Sequence, residues 1–421
     1  MKKLILQLIF ASFIFTIVSC NDPIFFFVSE EEPPIKPRIE GRSTNFVEKE
    51  YIFDNLEVIM DGVPTILPPT PVTVMFVAAG TTLHMYYNYE YIDTESNTIK
   101  RSVWGSEGLG SRVRFLAVTN KYLYACVEGS GSHGILKRKD YSAAEPQEWV
   151  DIIDVGNIQR IFGVGEHLYI STRSGSKSVI NFQVHVLSDA VDAPVPVDTG
   201  GNNVAMLCGV AASGADIFLC SIYDNFDKDN VKSGIFRTTA GSTTATRITA
   251  ASADFGTSVG REFAGIINLT PTKVVAIDRD GRLYEVSTSG LKSLASFGDS
   301  RRRTTGSLAV WEDMDTPDPN SRLLLVGRQD TATTTTTGHT HGYLELKLDS
   351  AGETDGGFTE PGKTTPYSSV DSYDRYVSSL GRRGVNYMFQ AKDGILFAST
   401  NNGVWSYKYR SSTKHNSWNA E

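Results

Sequence analysis

The chain has 421 residues, with 40 Lys+Arg against 48 Asp+Glu, a formal net charge of −8, 40% hydrophobic residues and a mean hydropathy of −0.18. That charge balance excludes a general attraction for phosphate backbones, and that hydropathy excludes a body made of many membrane spans. The length is compatible with one closed β architecture, since such domains run long as single units.

The first element in chain order is a signal segment, residues 1–19. Lys2 and Lys3 give it a positive start, and residues 4–18 form an apolar core interrupted by Gln7, Ser12 and Thr16. Asp22 and Pro23 follow too soon for a spanning helix. The segment ends in Ile17-Val18-Ser19-Cys20, which resembles a relaxed bacterial lipobox with Ile17 in place of the usual leucine. The resemblance implies acylation of Cys20 with palmitate-type chains. The product would be a lipoprotein held at a bacterial membrane, facing the periplasm or the cell surface. An ordinary secretory peptide with an incidental cysteine is the alternative.

Residues 20–44 read as a tether. Glu30, Glu31 and Glu32 resist collapse, and Pro33, Pro34 and Pro37 favour extended chain. The apolar stretch 24–28 either enters the lipid interface or docks on the domain.

Residues 45–410 read as one propeller domain: from about residue 70 onward there is almost no amphipathic helical periodicity, and short Val/Ile/Tyr/Phe-rich runs alternate with Gly, Asp, Asn and Ser turns, the pattern of strands and hairpins. One strand type returns with its first position at Leu83, Leu123, Leu168, Ile217, Val274, Leu323 and Ile395, at spacings of 40, 45, 49, 57, 49 and 72 residues. Most of these suit a four-stranded propeller blade of roughly 40–50 residues. A following run begins with Gly134, Gly234, Gly281, Gly342 or Gly403 in five of the seven returns. Glycine there suits a tight hairpin that needs positive φ.

The last copy, from Gly394 to Tyr407, resembles the propeller repeat of two-component-regulator sensors, and the copy from Val275 to Val286 resembles PQQ-like and NHL repeats. These resemblances imply a propeller, and the seven returns make the expected all-β fold a seven-bladed β-propeller. Residues 411–421 read as a polar tail, leaving the last blade three strands of its own. An N-terminal strand, Glu50-Tyr51-Ile52-Phe53 or Leu56-Glu57-Val58-Ile59-Met60, is expected to complete that blade and close the ring.

No residue set specifies a reaction, so a binding role is expected rather than an enzyme, with no cofactor. Cys208 and Cys220 fall on neighbouring strands and form a candidate disulfide, or else stay buried thiols. Asn225, Asp227 and Asp229 imitate the start of a calcium loop, but Phe236 stands where the closing glutamate belongs, so a weak metal site and a plain acidic hairpin tip both remain open. His339 and His341 share a strand face without further ligands, which suits a solvated hairpin tip. Arg301, Arg302 and Arg303 are the compact basic run; they read as a solvated loop, and no nucleic-acid partner is expected.

Long hairpins are expected between second and third strands at 88–97, 224–233 and 329–341, all on one face, with 349–384 added to it. That face would present Tyr89, Tyr91, Tyr373, Arg375 and Tyr376, residue types suited to contact surfaces. The expected function is therefore a lipid-anchored extracytoplasmic scaffold that binds a protein or peptide. A propeller hydrolase or lyase acting on a glycan or lactone, or a small-ligand sensor, is the alternative.

Overall fold

Seven four-stranded antiparallel sheets account for nearly all the regular structure, with one extra two-stranded hairpin. The computed structural model describes residues 39–53, 56–60, 63–67, 70–92, 98–129, 134–141, 148–152, 156–176, 179–200, 204, 206–222, 234–248, 263–297, 304–314, 322–329, 342–359, 384–407 and 418–420, and there is no helix among them. The second strands show why the sequence folds this way. Lys273–Asp278 is buried at all six positions, as a strand covered on both faces must be. The fold expectation therefore holds: seven radial sheets, one per return of the pattern.

The ring closes by packing. Seven apolar clusters each join two neighbouring blades, and the seventh unites Phe46, Met75, Val77 and Tyr86 of the first blade with Phe397 and Val404 of the last. Phe46 lies 6.4 Å from Phe389 and 6.1 Å from Phe397, ring centre to ring centre. Lys392 pairs with Glu50 at 2.7 Å across the same seam. Burying one such aromatic or aliphatic side chain contributes roughly 1.5–3 kcal/mol, so the seam is held mainly by its apolar contacts.

The strand that closes the ring is not the expected one. Val47–Phe53 is the innermost strand of the first blade, paired with Thr70–Ala79, and it does not complete the last blade. Leu56–Met60 pairs with Val63–Leu67 as a hairpin inserted between those two strands. The outer strand of the last blade is Trp418–Ala420, from the segment expected to be a polar tail. The reason is visible in the partners: Trp418 packs on Tyr343 at 5.9 Å and Tyr407 at 5.5 Å, so one aromatic anchors a three-residue strand.

Neighbouring blades also meet through polar side chains. Glu107 of the first blade receives Tyr141 at 2.5 Å, Trp149 at 2.6 Å and Lys139 at 2.8 Å from the second. Burial pushes its carboxyl pKa up, but these donors outweigh that and hold it below the usual range. Asn45 reaches the second blade as well, donating to the Leu116 carbonyl at 2.8 Å and accepting from the Leu116 amide at 3.0 Å.

Candidate binding site at the channel mouth

The antiparallel register fixes which chain ends share a face. Where an innermost strand begins, the second strand of its blade ends and the third begins: Thr304 lies opposite Arg328, and Gly327 opposite Tyr343. The same holds for Val385 opposite Thr400, and Thr400 opposite Gly403. The beginnings of the innermost strands converge there on the central axis.

Six of these strands are irregular at that end. The pairing slips between Val113 and Phe115, Ile158 and Arg160, Leu207 and Gly209, Phe263 and Gly265, Thr304 and Leu308, and Val385 and Tyr387. A bulge bends its strand and re-aims the side chains beside it. Its repetition around the axis shapes a rim.

Inside that rim is a cavity of about 330 Å³. Phe46, Phe115, Phe162, Tyr387 and Phe389 give it aromatic walls, and Thr305, Ser307 and Asn386 supply neutral polar groups. Among the described residues its charged lining is Arg42 and Arg160, with no Asp or Glu. The Arg160 guanidinium stands 4.0 Å from the centre of the Phe115 ring, and its Nη1 donates to the Tyr387 hydroxyl at 3.3 Å. Phe115 and Tyr387 meet edge to face at 6.2 Å. Such an arginine is held by stacking and one neutral hydrogen bond, with most of its donors left over.

Cys208 also lines the cavity, and its Sγ lies 3.4 Å from that of Cys220. Both are thiols, and burial pushes the pKa of Cys220 well up. Gly209, not Cys208, sits opposite Cys220; the bulge moves Cys208 out of direct opposition. Cys126 is a separate buried thiol, its pKa pushed up to about 12 by burial.

The other expected site residues fall differently. Tyr89 and Tyr91 lie within Thr82–Ile92, the third strand of the first blade, not in a loop between second and third strands. That strand ends at Ile92, opposite Thr98 of the fourth strand, on the face away from the cavity. Residues 54–69, inserted between the first and second strands, separate the innermost strand from its blade in sequence, so the run at Leu83 is a third strand. Segments 223–233 and 330–341 do join second to third strands, and 360–383 joins two blades, all from chain ends on the cavity face. Asn225, Asp227, Asp229, His339, His341, Tyr373, Arg375 and Tyr376 belong to these segments and lie outside the described residues, as does Cys20. Among the described residues no group of three or more His, Cys, Asp and Glu could hold a metal.

Arg160, Arg42, Phe115 and Tyr387 were not anticipated. The signal lay in the strand preceding each recurrent run, where Asn157-Ile158-Gln159-Arg160-Ile161-Phe162 places a lone cation in an otherwise strand-like sequence. A second cavity, of about 360 Å³, lies among Thr238, Thr244, Thr246, Arg237 and Arg247 of the fourth blade and Thr288 and Ser289 of the fifth. Arg237 is already paired there with Asp216 at 2.7 Å, so the channel mouth is the stronger candidate.

No protein-family model matches the chain, and no curated protein matches it. Among solved structures, YCF48 bound to D1 peptide has a TM-score of 0.47 at 10% identity, over 90% of this chain and 96% of that one. The extracellular domain of BT4673 from B. thetaiotaomicron has a TM-score of 0.48 at 12% identity, over 89% of this chain and 40% of that one. Sqt1 of Saccharomyces cerevisiae has a TM-score of 0.44 at 12% identity, over 89% of this chain and 87% of that one. At such identities none of them says what this chain binds; the seven-bladed architecture stands on its own sheets.

Proposed function

We propose that this chain is an exported, lipid-anchored propeller that binds a protein or peptide partner through its cavity face. The observation that carries the binding half is the mouth: an aromatic cavity with two arginines and, among the described residues, no lining carboxylate, in a protein of net charge −8. Binding sites are commonly concave, mostly apolar, and carry a few placed polar groups. The anchoring half rests on residues 1–20 and their resemblance to a lipobox.

A photo-reactive residue placed at Asn386, in the cavity lining, tests the binding half in the native cells. It is expected to capture a dominant protein neighbour, whereas the same residue at Val195, on an outer strand and 46% exposed, is not. Equal capture from both positions, or none from Asn386, rejects the reading. For the anchor, labelled palmitate is expected to enter the wild-type chain and to be absent from Cys20→Ser, which should also leave the membrane fraction. Label persisting in that variant places the lipid elsewhere.

Export has a further consequence. In an oxidising compartment Cys208 and Cys220 need to close only from 3.4 Å to the roughly 2.05 Å of a disulfide bond. Non-reducing mass spectrometry of protein isolated from its cells is expected to show a peptide pair linked through these two residues, lighter by two hydrogens than the thiols. Quantitative alkylation of both without prior reduction is the contrary result.

A further inference from the structure

We infer that the channel mouth is a carboxylate-binding site, with the Arg160 guanidinium as the anion's partner. The inference rests on the reading of this face as a peptide-binding surface and adds the chemistry that the bound segment must carry.

Five arginines elsewhere in the propeller are paired with carboxylates. Arg112 and Arg114 both lie within ion-pair distance of Glu128, at 3.9 and 3.4 Å. Arg138 has Asp192 at 2.6 Å, Arg237 has Asp216 at 2.7 Å, and Arg322 has Glu312. Arg160 differs: among the described residues it has the Phe115 ring and the Tyr387 hydroxyl, and no carboxylate. A guanidinium offers five N–H donors, and Tyr387 takes one. Stacking fixes the plane of the group, so little side-chain entropy is lost when a carboxylate docks on its remaining edge.

Arg42, exposed, lines the same cavity. Two cations and no anion among the described lining residues give a local potential opposite in sign to the net charge. At a physiological Debye length of about 8 Å, the groups nearest the ligand decide its sign. The remaining lining suits the rest of such a segment: aromatic faces for apolar side chains, Thr305 and Ser307 as neutral polar neighbours. The cavity, about 330 Å³, is at the lower end of the roughly 300–1,000 Å³ usual for ligand pockets. It accepts a short extended segment and is too small for a folded domain.

A carboxylate of this kind comes from an acidic side chain or from a chain terminus. Three probes separate these sources by titration against the purified full chain: acetyl-Gly-Phe with a free carboxylate, acetyl-Glu-Phe-amide, and the neutral acetyl-Gly-Phe-amide. At least one acidic probe is expected to bind about tenfold or more tightly than the neutral one, as charge-assisted hydrogen bonds allow. Whichever acidic probe binds identifies the source. In Arg160→Gln the preference is expected to vanish, the acidic probes binding no more tightly than the neutral one. Arg160→Lys is expected to keep part of the preference, since it keeps the charge and loses the planar fork. A thermal midpoint close to wild type in both variants shows that the site was changed without loss of the fold.

Equal affinity for all three probes overturns the inference, as does a preference that survives Arg160→Gln, or no binding of any probe at millimolar concentration. If crosslinking from Asn386 still captures a protein in that case, the binding face stands and only its carboxylate chemistry falls. Acid-selective binding without any captured protein does the reverse.

Discussion

Gly163→Ala is expected to destabilise the ring by about 3 kcal/mol or more, at the upper end of what overpacking costs. A Cβ built on Gly163 would stand 1.7 Å from the Val118 carbonyl oxygen and 2.6 Å from its carbon. Both are backbone atoms of the neighbouring blade's innermost strand, so no rotamer change relieves the clash; two blades have to separate. Gly265 stands in the same relation to Gly306, whose carbonyl oxygen would lie 2.0 Å from the added Cβ. The close approach of inner strands thus recurs around the axis.

Gly165, two residues further on, supplies the control. Its φ is +57° and nothing lies within 4 Å of an added Cβ. Gly165→Ala therefore meets only the left-handed backbone penalty, about 1 kcal/mol. Denaturant unfolding of the two variants is expected to separate them clearly. If Gly163→Ala unfolds within half a kcal/mol of wild type, the inner strands do not need this approach and the blade contact is misassigned.

These glycines show what was legible in the sequence and what was not. The recurrent second strand could be read because complete burial makes it an unbroken apolar run, as at Leu323-Leu324-Leu325-Val326. The glycine after it was also visible, but for a reason that holds at only some positions. Gly281 and Gly403 do take positive φ, at 83° and 141°. Gly134 does not; a Cβ there would sit 2.5 Å from the Ile158 carbonyl oxygen of the next blade. Turn chemistry and blade contact leave the same letter in the sequence.

The site itself was harder to find because it is made by ring closure. Arg160 and Tyr387 are 227 positions apart, and each belongs to an innermost strand whose channel-facing residues change from blade to blade. No local pattern marks them. Blade one hides its strand order for a related reason. Its innermost strand, Val47–Phe53, is separated from its partner by residues 54–69, so the run at Leu83 looked like a second strand and is a third. Tyr86, in that run, is core, 6% exposed and packed on Trp104 and Phe397.

Trp418→Ala is expected to cost about 3–5 kcal/mol, the usual loss for emptying a buried tryptophan site. The indole is 4% exposed in the cluster that joins the last two blades, with Trp405, Tyr407 and Tyr343. Its strand is three residues long, too short for an alternating pattern, and the polar residues around it gave it the appearance of a tail. Deleting 411–421 should be worse than the point change. It removes the indole and also leaves Gly403–Tyr407 as an unpaired edge, since Trp405, Ser406 and Tyr407 pair with Ala420, Asn419 and Trp418. An open edge of this kind recruits strands from other molecules. The deletion variant is therefore expected to unfold earlier than Trp418→Ala and to sediment partly as oligomers, while Trp418→Ala stays monomeric. A deletion variant that matches wild type in unfolding midpoint and in mass would mean that the last blade is stable with three strands.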